Sequence, residues 1–249
     1  MPSALASILQ THQSVFGPVV PFSPANDIII PLDFTEKNKT LTQDIVQDTA
    51  LFTAYINEQL NKSNARYGIG GYGEHRTVYT RSKLFDTYEL SAQQKHVLSA
   101  LDEANEPRRL HLGIDIWGKP HTAVMAPVDG ILHSFAYNDA FGDYGATIIL
   151  THILNGHTFY TLYGHLSMNS IKNLNEGETI RRGDIFAEFG LPSENGQWPP
   201  HLHFQVIQDL EGWKGDYPGV CKFSERYSWL ANCPDPDLIL QLNQYVNHA

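Results

Sequence analysis

"WPPHLHFQV" (residues 198–206) sets His201 and His203 one residue apart inside an otherwise apolar run. A strand alternates its side chains, so both imidazoles project to one face while Leu202 and Phe204 project to the other. Two imidazoles on a face opposite the core either meet solvent or converge with partners from neighbouring strands. The rest of the chain decides between these outcomes.

From Arg108 onward the sequence has the texture of that stretch. "LHLGIDIW", "AVMAPVDGILHSFAY", "GATIILTHI", "HTFYTLYGHL" and "IFAEFG" are short β-rich runs separated by Gly, Asn, Asp and Pro. Short strands at such spacing predict an antiparallel sheet or sandwich. Upstream, residues 1–35 read as an extended arm, and apolar spacing over 41–59 and 92–104 predicts two helices. The glycine-rich "ARYGIGGYGEHRTVYT" (65–80) is not followed by Gly-Lys-Ser/Thr, so it reads as a turn-rich hairpin rather than a phosphate loop. Its Tyr67, Tyr72, Arg76, Tyr79 and Arg81 either brace the β-core, the favoured reading, or line a groove that holds an acidic substrate terminus. Beyond residue 210 the chain returns to loop, with a short helix starting near Asp235. The expected fold class is mainly β with α+β extensions. Residues 1–107 form an N-terminal arm with helices and a Gly-rich hairpin, 108–208 the core, and 209–249 a C-terminal extension.

Composition narrows the partners. The 249 residues are 42% hydrophobic and 18% charged, ordinary for a globular protein. A formal net charge of -10 argues against nucleic acid and anionic membrane surfaces, and disfavours attraction to anionic polymers. No run approaches the roughly 20 apolar residues of a membrane helix. The first residues have neither a basic segment nor a long apolar core. A cytoplasmic location is therefore expected, or a periplasmic or extracellular one if a leader is missing or export is unconventional. Cys221 and Cys233 are too few for a disulfide framework and read as ordinary thiols.

The twelve histidines sort by context. His12, His75, His96, His152, His157 and His248 lie in polar or turn-like settings and read as surface imidazoles; His121 and His133 flank strand starts. Four have partners. "HLGID" places His111 and Asp115 four apart, "YGHLS" places His165 just past an apolar strand, and His201 and His203 form the pair above. A catalytic zinc takes about three protein ligands and keeps a position open for water. His111, Asp115 and one imidazole of the pair supply that number. The other imidazole and His165 are then free for proton transfer and charge stabilisation. No H-E-x-x-H helix is present, which excludes a thermolysin-type site.

Taken in order, "HLGID…APVDG…YGHLS…GDIFAEFG…HLHFQV" resembles the lysostaphin/LytM-type zinc metallopeptidases across residues 108–208. The resemblance implies an antiparallel β-fold of the duplicated, lipoyl-like type and one zinc ion. It also implies hydrolysis of an amide in peptidoglycan or another small peptide. By motif it makes His111, Asp115 and His203 the metal ligands and His165 and His201 the catalytic imidazoles. The chain departs from the pattern in "HTAVMAPVDG", where Gly-Thr-Pro usually precedes the strand, and at Gln205, where Glu often stands. The flanks "RYGIGGYGEHRTVYT" and "GDYPGVC…CPDPDLIL" are similar to a narrower group fused to kinase-like and aminotransferase domains, which leaves the substrate open. Two alternatives compete with the enzyme reading. One is a non-catalytic metal-binding scaffold. The other is a lipoyl- or biotinyl-like carrier, disfavoured because a long insert containing His165 separates its two halves.

Overall fold

The computed structural model describes residues 3–86 and 106–246. Twelve strands are described: β1 (Ile29–Leu32), β2 (Tyr67–Gly70), β3 (Leu110–His111), β4 (Ile114–Trp117), β5 (Ala123–Met125), β6 (Gly130–Asn138), β7 (Gly145–Leu154), β8 (His157–Leu166), β9 (Thr179–Ile180), β10 (Ile185–Glu188), β11 (His201–Ile207) and β12 (Val220–Cys221). Eight form one sheet in the order β1-β2-β4-β11-β8-β7-β6-β9, while β10-β5 and β12-β3 are two-stranded. Within the large sheet only β1 and β2 run parallel, and the other pairs are antiparallel. The fold is mainly β, as expected.

Side-chain alternation divides the sheet. Ile114 and Ile116 of β4, Leu202, Phe204 and Val206 of β11, and Tyr163 of β8 enter one apolar core with Leu132, Ile148 and Phe159. Asp115 and Trp117, and His201, His203 and Gln205, take the opposite face. Burial of the apolar set forces the polar set onto that face, because a one-residue slip would exchange the two. Beside it a second cluster joins Phe34, Trp117 and Trp198 to Phe52 and Ile56 of a helix.

The extensions differ from the expected pattern. Residues 1–35 are not simply extended: Ala4–Thr11 is helix α1, capped by the Ser3 hydroxyl, and buries Leu5 and Leu9. The expected 41–59 helix is two helices, α2 (Gln43–Gln47) and α3 (Thr49–Lys62). Asp48 divides them because its carboxylate accepts from Ala50 N and Leu51 N and caps α3. The glycine-rich stretch is no hairpin. It begins as β2, parallel to β1, and ends in a 3₁₀ turn over Val78–Arg81. After residue 210 a helix not expected from the sequence, α4 (Arg226–Asn232), precedes α5 (Asp237–Leu240), the latter close to the expected position. The helix expected over 92–104, with His96, and also His248, lie outside the described residues. Among the described residues no helix is long and apolar enough to cross a membrane.

His152 is another correction. It is 1% exposed, between Asp129 O and Thr161 Oγ1 at 2.9 and 2.7 Å. The alternation of β7 places it inward despite its polar neighbours. Burial pushes its pKa down to about 4. The native state therefore binds fewer protons than the unfolded chain between about pH 4 and 6.5, and stability falls as pH drops through that window. Denaturant titrations at pH 7 and 4.5 should show a loss for the native sequence. His152→Gln should lose less, by on the order of 3 kcal/mol at about 1.36 kcal/mol per unit.

Candidate metal centre

The strand register assembles the site. Asp115 of β4 lies opposite His203 of β11, and His203 lies opposite Gly164 of β8. On the other side of β4, Asp115 pairs with Gly70 of β2. One row therefore crosses four strands, Gly70–Asp115–His203–Gly164, and cross-strand neighbours on one face touch. His111, at the end of β3, reaches the same point. Gly113 permits this approach, since a Cβ there would stand 2.6 Å from His203 Cε1.

Three atoms meet at close range. His111 Nε2 is 3.0 Å from His203 Nδ1 and 3.2 Å from Asp115 Oδ1, and His203 Nδ1 is 3.1 Å from Asp115 Oδ1. All three residues are buried. Hydrogen bonding on their outer sides fixes the tautomers. His111 Nδ1–H donates to Gly71 O at 2.9 Å, which leaves Nε2 with its lone pair. Gln205 Nε2 donates to Pro218 O and Cys233 Sγ, so Gln205 Oε1 is the acceptor for His203 Nε2–H at 2.9 Å. That leaves the lone pair of His203 on Nδ1. Burial would push the Asp115 carboxyl up, but the Arg76 guanidinium bonded to Oδ2 holds it well below the usual range. Burial and Arg76 push His111 down to about 3, so its imidazole is neutral.

Two lone pairs and one carboxylate oxygen thus face one another with no proton between them, and a cation relieves the repulsion. The size fits as well. A tetrahedral zinc with bonds of about 2.0–2.1 Å separates its donors by roughly 3.3 Å. The chemistry of the set, two imidazoles and a carboxylate, suits the same metal.

The other two expected residues lie beside this triangle. His165 and His201 have ring centroids 4.1 Å apart, and His201 stacks on Trp117 at 3.9 Å. His165 Nδ1–H donates to Asn195 O at 2.9 Å and His201 Nδ1–H to Pro199 O at 2.7 Å, so each keeps Nε2 for a ligand. Burial pushes His201 down to about 4 and His165 well below its usual range. Strict alternation would send His165 away from Gly164. A bulge prevents this: Tyr163 pairs with Ile148 and Leu166 with Ala146, so Gly164 and His165 together face Thr147, with His165 at φ 62°. Left-handed backbone in a histidine is uncommon and clusters at functional sites.

These residues open on a cavity of about 560 Å³, walled also by Tyr144, Trp198, Asp143 and Asp216. Spacing gave no hint of Tyr144, whose hydroxyl lies 3.4 Å from His203 Nε2, nor of the role of Gln205. Of the glycine-rich set only Arg76 and Tyr79 line the cavity. Tyr67 donates to Pro21 O, Tyr72 to Cys233 O, and Arg81 packs over Trp198 while donating to Gln197 O. These three brace the fold. Cys221 and Cys233 are free and buried.

His111, Asp115 and His203 thus form a buried His/Asp/His group that could hold a metal ion inside a mainly β fold. The family model described as Peptidase family M23 matches residues 109–215, less than half of the chain. An uncharacterized metalloprotease of Haemophilus influenzae is 34% identical over 98 residues, 39% of this chain and 18% of that protein. The chain thus spans under a fifth of that relative. Among solved structures, a zinc containing peptidase from Vibrio cholerae is 25% identical (TM-score 0.32, 39% of this chain, 27% of that one). The catalytic domain of lysostaphin from Staphylococcus simulans is 22% identical (TM-score 0.39, 76% of this chain, 97% of that one).

Gly113→Ala should push His203 out of the triangle and weaken metal binding by roughly tenfold or more. Chelator competition measures the affinity, and an unchanged far-ultraviolet circular dichroism spectrum confines the effect to the site.

Proposed function

We propose that this chain is a zinc-dependent peptidase that hydrolyses an amide bond in a peptidoglycan-type or other small peptide. The observation that carries this reading is the buried triangle of His111 Nε2, Asp115 Oδ1 and His203 Nδ1 beside two imidazoles in one cavity. The M23 match and the relative named as a metalloprotease support it. The proposed working unit is 108–208, with 1–107 and 209–249 packed around it.

His111, Asp115 and His203 would hold one zinc ion. When bound, the metal supplies Lewis acidity, polarising an amide carbonyl and bringing water ionisation toward neutral pH. The protein's own groups do the rest. His165 and His201 are neutral and tied through Nδ1–H to backbone carbonyls, so Nε2 of each is set to accept a proton from the attacking water. The imidazolium formed then stabilises charge on the carbonyl oxygen and returns the proton to the departing amine. Stacking of His201 on Trp117 and the bulge at His165 keep both rings in place. Their burial limits competing water.

His203→Ala should lose stoichiometric zinc by metal analysis. His201→Ala should keep zinc while turnover falls about 10²–10⁴-fold, the range for a proton-transfer group. Turnover is read by mass spectrometry of muropeptides and small cytosolic peptides incubated with the zinc-loaded protein. Full zinc occupancy in His203→Ala would remove the ligand assignment. Bound zinc with no hydrolysis across the panel would favour a non-catalytic scaffold instead.

A further inference from the structure

The triangle is held from outside by a segment that lies upstream of the matched family region. Residues 71–76 run alongside β3: Gly73 N donates to His111 O at 2.9 Å, His111 N to Glu74 O at 3.0 Å, and Arg76 N to Arg109 O at 2.9 Å. The His111 backbone is therefore held through both its N–H and its C=O, and the Gly71 carbonyl accepts from its Nδ1–H. Arg76 completes the arrangement. Its side chain is 1% exposed and donates through Nη1 to Asp115 Oδ2, the oxygen turned away from the triangle. Nε donates to Glu74 Oε2 at 2.8 Å, and Nη2 donates to Gly71 O at 3.2 Å.

Three of the partners of this guanidinium act on orientation; Nη1 also donates to the Tyr79 hydroxyl at 3.4 Å. The Gly71 oxygen that anchors Arg76 also sets the His111 tautomer. The Glu74 carboxylate balances the Arg76 charge, so the pair adds no net charge beside the metal donors. Phe34 packs against the guanidinium at 5.1 Å. Gly70, opposite Asp115 in the register, leaves the space: a Cβ there would stand 2.6 Å from Arg76 Nη2. With Oδ2 engaged by Arg76, only Oδ1 of Asp115 is presented to a metal.

We infer that Arg76 is a positioning residue of the metal centre: it holds Asp115 as a one-oxygen donor, and segment Gly70–Arg76 is part of the centre rather than an appendage to the domain. Ligands oriented by outer hydrogen bonds commonly lose 10–100-fold in metal affinity when the outer partner is removed. A lysine keeps the charge, but its single ammonium lacks the planar fork that reaches Asp115, Glu74 and Gly71 together. The inference rests on reading the triangle as a metal site, and its test keeps the two apart.

The full chain and its Arg76→Met, Arg76→Lys and Glu74→Gln variants are titrated with zinc against a chromogenic chelator, and their cobalt(II) forms are recorded in the visible range. The native chain should bind one zinc. Arg76→Met should bind about 10–100-fold more weakly and show an altered cobalt spectrum, because a freed Asp115 can present both oxygens. Arg76→Lys should recover only part of the affinity. Glu74→Gln leaves Arg76 on Asp115 and keeps the measurement possible if Arg76→Met does not fold; it should weaken zinc binding by a smaller factor. Zinc affinity within twofold of native and an unchanged cobalt spectrum in the folded Arg76 variants, or in Glu74→Gln if those do not fold, would overturn the inference. Failure of the native chain to bind stoichiometric zinc would overturn the metal reading itself.

Discussion

The register of β11 against β4 is the constraint on which the site depends. His203 stands opposite Asp115 because Leu202 and Phe204 must enter the core beside Ile114 and Ile116. A slip by one residue would bury the imidazoles in the apolar core and move the leucine and phenylalanine onto the polar face that carries Asp115. Hydrophobic burial, which is non-directional, thus fixes a directional feature. Asp115 and His203 need no separate force to bring them together, only a stable sheet.

Holding them at the right angle is another matter, and here the chain uses buried charge. Asp115, Arg76 and Glu74 form a connected set, with Arg76 and Asp115 both deeply buried. Removing one member of such a set leaves another buried without a partner, which costs several kcal/mol. The set is weak evidence of stabilisation, since an apolar replacement of equal volume is often no worse. Its value lies in orientation. The family-matched region begins only at residue 109, so this orientation is supplied by sequence outside it.

Legibility in the sequence follows the range of the forces involved. The shared face of His201 and His203 was readable because alternation is local and Leu202 and Phe204 mark the core side. That His111, Asp115 and an imidazole of the pair make a ligand set was readable from residue types, but which imidazole belongs to the triangle was given by resemblance alone. His165 required a bulge that places two β8 residues against one of β7, and no local pattern marks it. The glycine-rich stretch was read as a hairpin because its glycines signal turns. In the fold, Gly70 instead makes room for Arg76, 39 positions from the Asp115 it serves. His152 reads as exposed from its polar neighbours, whereas its burial is set by the strands on either side. Helix α1 was missed because its eight residues are stabilised by packing Leu5 and Leu9 against distant core, and isolated helices of that length are marginal.

The cavity wall adds a condition on what can enter. Burial and the proximity of Asp216 push Asp143 up to about 7, and burial raises Asp216. A carboxyl in that state responds strongly to its neighbour's charge. An anionic group placed against the wall would push both carboxyls further up, whereas a cationic group would favour their ionised forms. The net charge of -10 acts in the same direction at longer range. Under the function proposed above, both effects would disfavour an anionic group against this part of the wall, while Arg108 on the same wall acts the other way.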